Sequence, residues 1–190
     1  MGRASSARPG EHGGVTTLHL MVGLPAAGKT TRAKHLADEL GALRLTPDEW
    51  MIPLFADNDA GGKRDVLEGR LVSTALQVLR LGVDVVLDFG LWGRDERYAL
   101  HRLATGQGAR CTTVYLPVDR QTQWARTQHR WQATPHETYP ISEADVDRWR
   151  AQFQAPDAAE LSGASPPPPP APWPSWDEWA TQRWPSLVIP

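Results

Sequence analysis

The chain has 190 residues, enough for one globular domain with a sizeable core and additional terminal segments. A formal net charge of −2 and a pI near 6.3 exclude a globally basic surface made for nucleic acid, leaving only a local arginine groove open. The single Cys111 excludes an intrachain disulfide and a cysteine metal cluster; within GARCTTVYL it reads as a core thiol at the start of a strand rather than a nucleophile.

Residues 1–14 (MGRASSARPGEHGG) lack an apolar run and read as a flexible leader. No later stretch has membrane-spanning length, so the expected location is cytoplasmic by default. Residues 17–22 (TLHLMV) form a strand that runs into GLPAAGKT, and Ala33, Leu36, Ala37 and Leu40 give the next ten residues a helical stripe ended by Gly41. Residues 42–45 form a second short strand. Thr46 then predicts a helix cap, with Pro47 at the first position and Glu49 completing a capping box. A break at 56–62 precedes a helix over 64–81, whose Leu67, Leu71, Ala75, Val78 and Leu79 recur at helical spacing. Gly82 stops it, and 83–87 (VDVVL) is a strand ending at Asp88.

A helix over 95–105, a strand over 112–116, and helices over 120–131 and 143–153 follow, the last capped by Ser142 and Asp145. The alternation predicts a three-layer α/β fold with a mainly parallel sheet, its core spanning 15–161. Residues 162–172, with prolines 166–170, predict a stiff extended linker. The tail 173–190 holds Trp173, Trp176, Trp179 and Trp184 and is expected to pack back on the domain.

Gly23, Gly28, Lys29 and Thr30 satisfy G-x-x-x-x-G-K-[ST] between a strand and a helix. Backbone N–H groups around Ala26 to Lys29 predict an anion nest at a helix start, and Gly23, Pro25, Ala26, Ala27, Gly28, Lys29, Thr30 and Thr31 are expected to line the nucleotide. Lys29 is expected to reach the outer phosphates of ATP and Thr30 to offer a hydroxyl to Mg²⁺. Asp88, after a buried strand, is the second candidate for the metal or its water shell.

A phosphotransferase also needs a group that takes the acceptor's proton, and Asp48 is the candidate base, with Glu49 better explained as a capping partner. Residues 46–59 carry Asp48, Glu49, Asp57 and Asp59 without a cation, which suits a neutral or cationic alcohol; Trp50, Met51 and Phe55 are candidates for an apolar floor. In DRQTQWARTQHR, Arg126 and Arg130 share a helix face and invite an anion between them. Arg94 and Arg97 are divided evenly between touching substrate and facing solvent. His129 and His136 lack a third ligand at metal spacing.

GLPAAGKTTRAKHLA, LTPDEW, VVLDFGLWGRDER and the arginines of DRQTQWARTQHR together resemble the bacterial AAA-type ATP-binding P-loop kinases. These are related to polynucleotide kinase, chloramphenicol phosphotransferase and the zeta-toxin kinases. The resemblance spans about residues 15–160. It implies strand order 2-3-1-4-5 and transfer of the ATP γ-phosphate to a hydroxyl, with Asp48 as base and Arg126 and Arg130 in a lid around 118–140. FQAPDAAE resembles the segment that approaches adenine, which implies Phe153 and Pro156 as base contacts. The prolines interrupt the chain where a fifth strand is due, and only residues 187–189 are left to supply one. The expected acceptor is a small molecule, antibiotic- or sugar-like. A polynucleotide 5′-hydroxyl is the runner-up, and a nucleotide-binding regulator with weak ATPase activity a third reading. No obligate protein partner is evident.

Overall fold

Apolar alternation sets the architecture. Along β1 (Thr17–Val22), Leu18, Leu20 and Val22 turn to one face of the sheet and Met21 to the other, as a strand of period two requires. The structure is a computed structural model and describes residues 14–57, 59–133 and 140–190; the leader up to residue 13, most of the break between the Arg126 helix and Ser142, and His136 lie outside them.

In chain order the elements after β1 are α1 (Lys29–Leu40), β2 (Leu43–Leu45), α2 (Asp48–Phe55), α3 (Lys63–Arg80), β3 (Val85–Gly90) and α4 (Arg94–Gly106). They continue with β4 (Arg110–Tyr115), α5 (Arg120–Ala133), α6 (Glu143–Gln152), α7 (Ala158–Leu161) and α8 (Trp176–Arg183). The strands lie in the order β2-β3-β1-β4, and every neighbouring pair is parallel. This is the α/β, mainly parallel sheet that the alternation of strand and helix predicts. Parallel neighbours need long crossovers, so the helices are driven to the two faces.

On one face Ala33, Leu36 and Ala37 of α1 cover Met21 and Val86. On the other, α3 and α4 cover Leu18, Leu20, Val85 and Leu87. Trp176, Ala180, Trp184 and Leu187 join that second core from α8 and the residues after it. Among the described residues the sheet has four strands. Residues 187–189 do not extend it: Val188 N donates to Ser73 Oγ at 2.8 Å and Arg70 Nη1 to the Ser186 carbonyl at 3.2 Å, which lays them along α3.

Two local expectations are corrected. Thr46 does not cap α2; the cap position is Pro47, which has no side-chain acceptor, and the Glu49 carboxylate accepts instead from Arg44 Nη1 at 2.7 Å. Asp88 lies within β3 rather than beyond it, because the strand continues through Phe89 and Gly90. The box at Ser142 and Asp145 forms as the residues predict.

Candidate active site

The loop from β1 to α1 owes its shape to two glycines with different tasks. At Gly23 a Cβ would stand 2.8 Å from the Leu116 carbonyl oxygen, so the backbone of the segment after β4 approaches only because there is none. At Gly28 there is room for a side chain, but the residue caps α1 at φ 94°, a left-handed conformation. The first amides of α1 have no acceptor inside the helix, and its first turn holds no acidic residue. The positive end of the helix is thus left for an anion.

Lys29 Nζ donates to the Leu24 carbonyl at 2.9 Å. Burial pushes its pKa below the ordinary lysine value, opposed by the carboxylates of Asp88 and Asp48. Arg126 Nη1 reaches from α5 to the Ala26 carbonyl at 3.1 Å.

A cavity of about 840 Å³ opens over this loop. It gathers Pro25, Ala26, Gly28, Lys29, Thr30 and Thr31 with Asp48, Asp88, Arg126 and Arg130. Gly23 and Ala27 are buried and do not line it. Such an array can hold a polyanion at the loop and present a carboxylate to whatever sits beside it. Thr30 and Asp88 are two hard oxygen donors on the same cavity as Lys29, the donor set with which Mg²⁺ is held beside substrate phosphates. Asp88 is itself already engaged, since its Oδ2 accepts from Arg44 Nη2 at 2.8 Å and Arg44 Nε at 3.3 Å.

Away from the loop the lining changes character. Trp92 and Trp149 meet edge to face with ring centroids 6.4 Å apart, and Ile52, Leu91 and Ile141 add apolar surface. Leu91 holds φ at 45°, an unusual conformation for a non-glycine residue that turns the chain from β3 into Trp92. The turn is tied down by Arg97, whose Nη1 donates to the Leu91 and Trp92 carbonyls at 3.0 and 3.3 Å. Arg97 therefore neither faces solvent nor touches the cavity: it is buried against Glu160 through bonds of 2.6 and 3.0 Å. Arg94 stays outside the lining, 3.6 Å from Glu160.

Of the candidate apolar floor, Met51 is fully buried, while Trp50 and Phe55 point outward; Ile52 lines the cavity in their place. Asp57 accepts from the amides of Asp59 and Ala60 and serves its own turn. A second cavity, of about 150 Å³, lies between Leu24, Leu116, Val118 and Phe153, where Phe153 stacks on Tyr115 at 6.0 Å. Pro156 is buried and lines neither cavity.

A sequence-family model described as an AAA domain matches residues 18–156. The chain belongs to this AAA domain family. A search of curated proteins finds no match. Among solved structures, this AAA domain is similar to one from the Pnkp1/Rnl/Hen1 RNA repair complex, with TM-score 0.61, 14% identity and 77% of the chain covered. It spans only 46% of that protein's length. Kti12 of Chaetomium thermophilum in complex with ADP-AlF3 aligns over 90% of this chain and 99% of its own, at TM-score 0.58 and 17% identity. A gluconokinase from Sinorhizobium meliloti 1021 aligns over 90% and 91%, at TM-score 0.53 and 16% identity. At such identities the shared feature is a P-loop kinase-like fold, common to several distinct kinases rather than to one.

Several cavity residues of the AAA domain have no local signal in the sequence. Arg44, which bonds Asp88 from outside the lining, is a lone cation on a short strand, and the cavity residues Arg64, Glu68 and Glu96 look like ordinary helix-surface charges. Arg183 sits 87 residues beyond Glu96, yet its Nε donates to Glu96 Oε1 at 2.8 Å. Among the described residues no helix is long and apolar enough to cross a membrane.

Proposed function

We propose that this AAA domain is a cytoplasmic ATP-dependent phosphotransferase that moves the γ-phosphoryl group to a hydroxyl of a small antibiotic- or sugar-like molecule. The observation that carries the reading is the single cavity lined both by the phosphate loop, with Lys29, and by two separate carboxylates, Asp48 and Asp88. Lys29, Arg126 and Arg130 hold the transferring phosphate, and Thr30 and Asp88 hold Mg²⁺. When bound, the ion supplies neutralisation of charge on the phosphate oxygens. Asp48 is the base: as the acceptor oxygen bonds to phosphorus and the bridge to ADP breaks, its carboxylate takes the hydroxyl proton. Phe153 beside Tyr115 is the proposed wall for the nucleotide base.

The charges favour a small acceptor over a polynucleotide. Away from the loop, the cations Arg64 and Arg183 are bonded to Asp48, Asp65 and Glu96, so they do not form an open strip for successive phosphodiesters. A screen of hydroxyl compounds with γ-labelled ATP tests the reading. Labelled product is expected with at least one, and Asp48→Asn is expected to cut transfer by about 10²- to 10⁴-fold while ATP still binds. Transfer that survives the substitution undiminished refutes the role of Asp48. Nucleotide binding without transfer to any compound favours the regulatory reading.

A further inference from the structure

The C-terminal helix α8 enters the cavity through one residue, Arg183. A path of hydrogen bonds and ion pairs leads from it to the proposed base. Asp48 Oδ1 lies 2.9 Å from Arg64 Nη2, and Arg64 Nε donates to Glu68 Oε1 at 3.0 Å. The other Glu68 oxygen, Oε2, accepts from Trp184 Nε1 at 3.3 Å and lies 3.5 Å from Arg183 Nη2. Arg183 is clamped in turn by Asp65 at 2.6 Å and Glu96 at 2.8 Å.

The links differ in freedom. The Asp48 side chain is 67% exposed and gets little positional restraint from packing, whereas that of Glu68 is 8% exposed and Trp184 is fully buried. A planar guanidinium bonded at Nε to a buried carboxylate has its remaining nitrogens aimed, so Arg64 presents Nη2 to Asp48 in a fixed direction. Arg64 holds one Glu68 oxygen, and the tail holds the other through Trp184 and Arg183.

A second, independent observation concerns the seat of that tail. Gly69 lies in the middle of α3, where glycine costs about 1 kcal/mol relative to alanine. A Cβ there would stand 2.6 Å from Ser186 Oγ, 2.9 Å from Leu187 N and 3.2 Å from Trp184 Cβ. The glycine admits the tail to the helix surface one residue from Glu68.

We propose that Arg183 is a positioning residue of the acceptor site, acting through Glu68 and Arg64 to hold Asp48, and that α8 is thereby a working part of the enzyme. The inference rests on the phosphotransfer reading, and its mechanical part is testable without it. In the full chain, Arg183→Ala is expected to speed hydrogen–deuterium exchange of the α2 amides at 48–55, and Arg183→Lys to restore part of the protection. With γ-labelled ATP and concentrated glycerol as a minimal hydroxyl acceptor, Arg183→Ala is expected to lower kcat for transfer by about ten- to a hundredfold, with KM for ATP changed less than about twofold. In an Arg64→Ala background the same substitution is expected to have little further effect, because the path is already cut. Unchanged exchange over 48–55, or losses from Arg64→Ala and Arg183→Ala that simply multiply, overturns the proposal. Faster exchange in a protein that transfers phosphate to neither glycerol nor any other alcohol upholds the mechanical link and sinks the phosphotransfer reading instead.

Discussion

Gly69→Ala sets two well-characterised effects against each other. In a helix whose surface is open, the exchange gains about 1 kcal/mol, since alanine fixes the backbone at lower entropic cost. Here the added methyl enters a closed seat. Two of its nearest neighbours lie under 3.0 Å, and one of them, Leu187 N, is backbone and cannot rotate away. Overpacking of this kind costs about 1–3 kcal/mol. Lifting the tail to relieve it strips cover from Trp184, which is fully buried, and from Leu187, which is 8% exposed. The steric cost and the lost cover together are expected to outweigh the backbone gain, leaving a net loss of about 1–2 kcal/mol, or a fall in Tm of about 2–4 °C for each kcal/mol in a chain of this size. Urea titration followed by far-UV circular dichroism measures it, with the slope compared between variants to establish that the same surface is exposed on unfolding. A stabilisation near 1 kcal/mol, the value for an uncovered helix, refutes the seating of the tail on α3.

Two further predictions use burial rather than packing. Burial lowers the pKa of His19 and His101 below the ordinary imidazole value, the Asp84 carboxylate only partly opposing it at His19. A folded-state pKa below the unfolded one means that protons bind the unfolded chain more tightly. The stability this contributes is complete above about pH 6.5 and is lost as pH falls through the depressed values. Urea midpoints are expected to drop as pH falls below about 6.5, and a His19→Gln, His101→Gln double variant to flatten that drop; an unaltered slope contradicts it. Desolvation pushes the Cys111 thiol up to about 12, so the native protein is expected to resist iodoacetamide at neutral pH and to react once unfolded in urea. Rapid native alkylation counts against that desolvation of the half-buried thiol.

The phosphate loop and the strands beside it are legible because their signals are local: glycines at fixed offsets, alternation along β1, a helical stripe in α1. The start of α2 departs from its local signal for a tertiary reason. Glu49 is in place for a capping box, but Arg44 on β2 lies near enough to claim its carboxylate, and Pro47 takes the cap position. Arg97 is unreadable in a similar way, because its partner Glu160 is 63 residues away and nothing in RDER marks one arginine for burial. The wall formed by Arg64, Glu68, Glu96 and Arg183 joins three helices through charges that each look solvent-exposed in isolation. Helix periodicity shows which residues share a face and is silent on which face of another helix will meet it.

The order in which the chain is made gives the docked tail one more consequence. The bonds that fasten it to α3 and α4 span 87 to 120 residues, so they become available only after the sheet and the helices they join have been made. The β1–α1 loop and its neighbouring strands are synthesised long before Arg183. A nascent chain passes through a stage in which the phosphate loop and the Arg64, Glu68 and Glu96 part of the far wall have been made and Arg183 has not, so one arginine completes that wall.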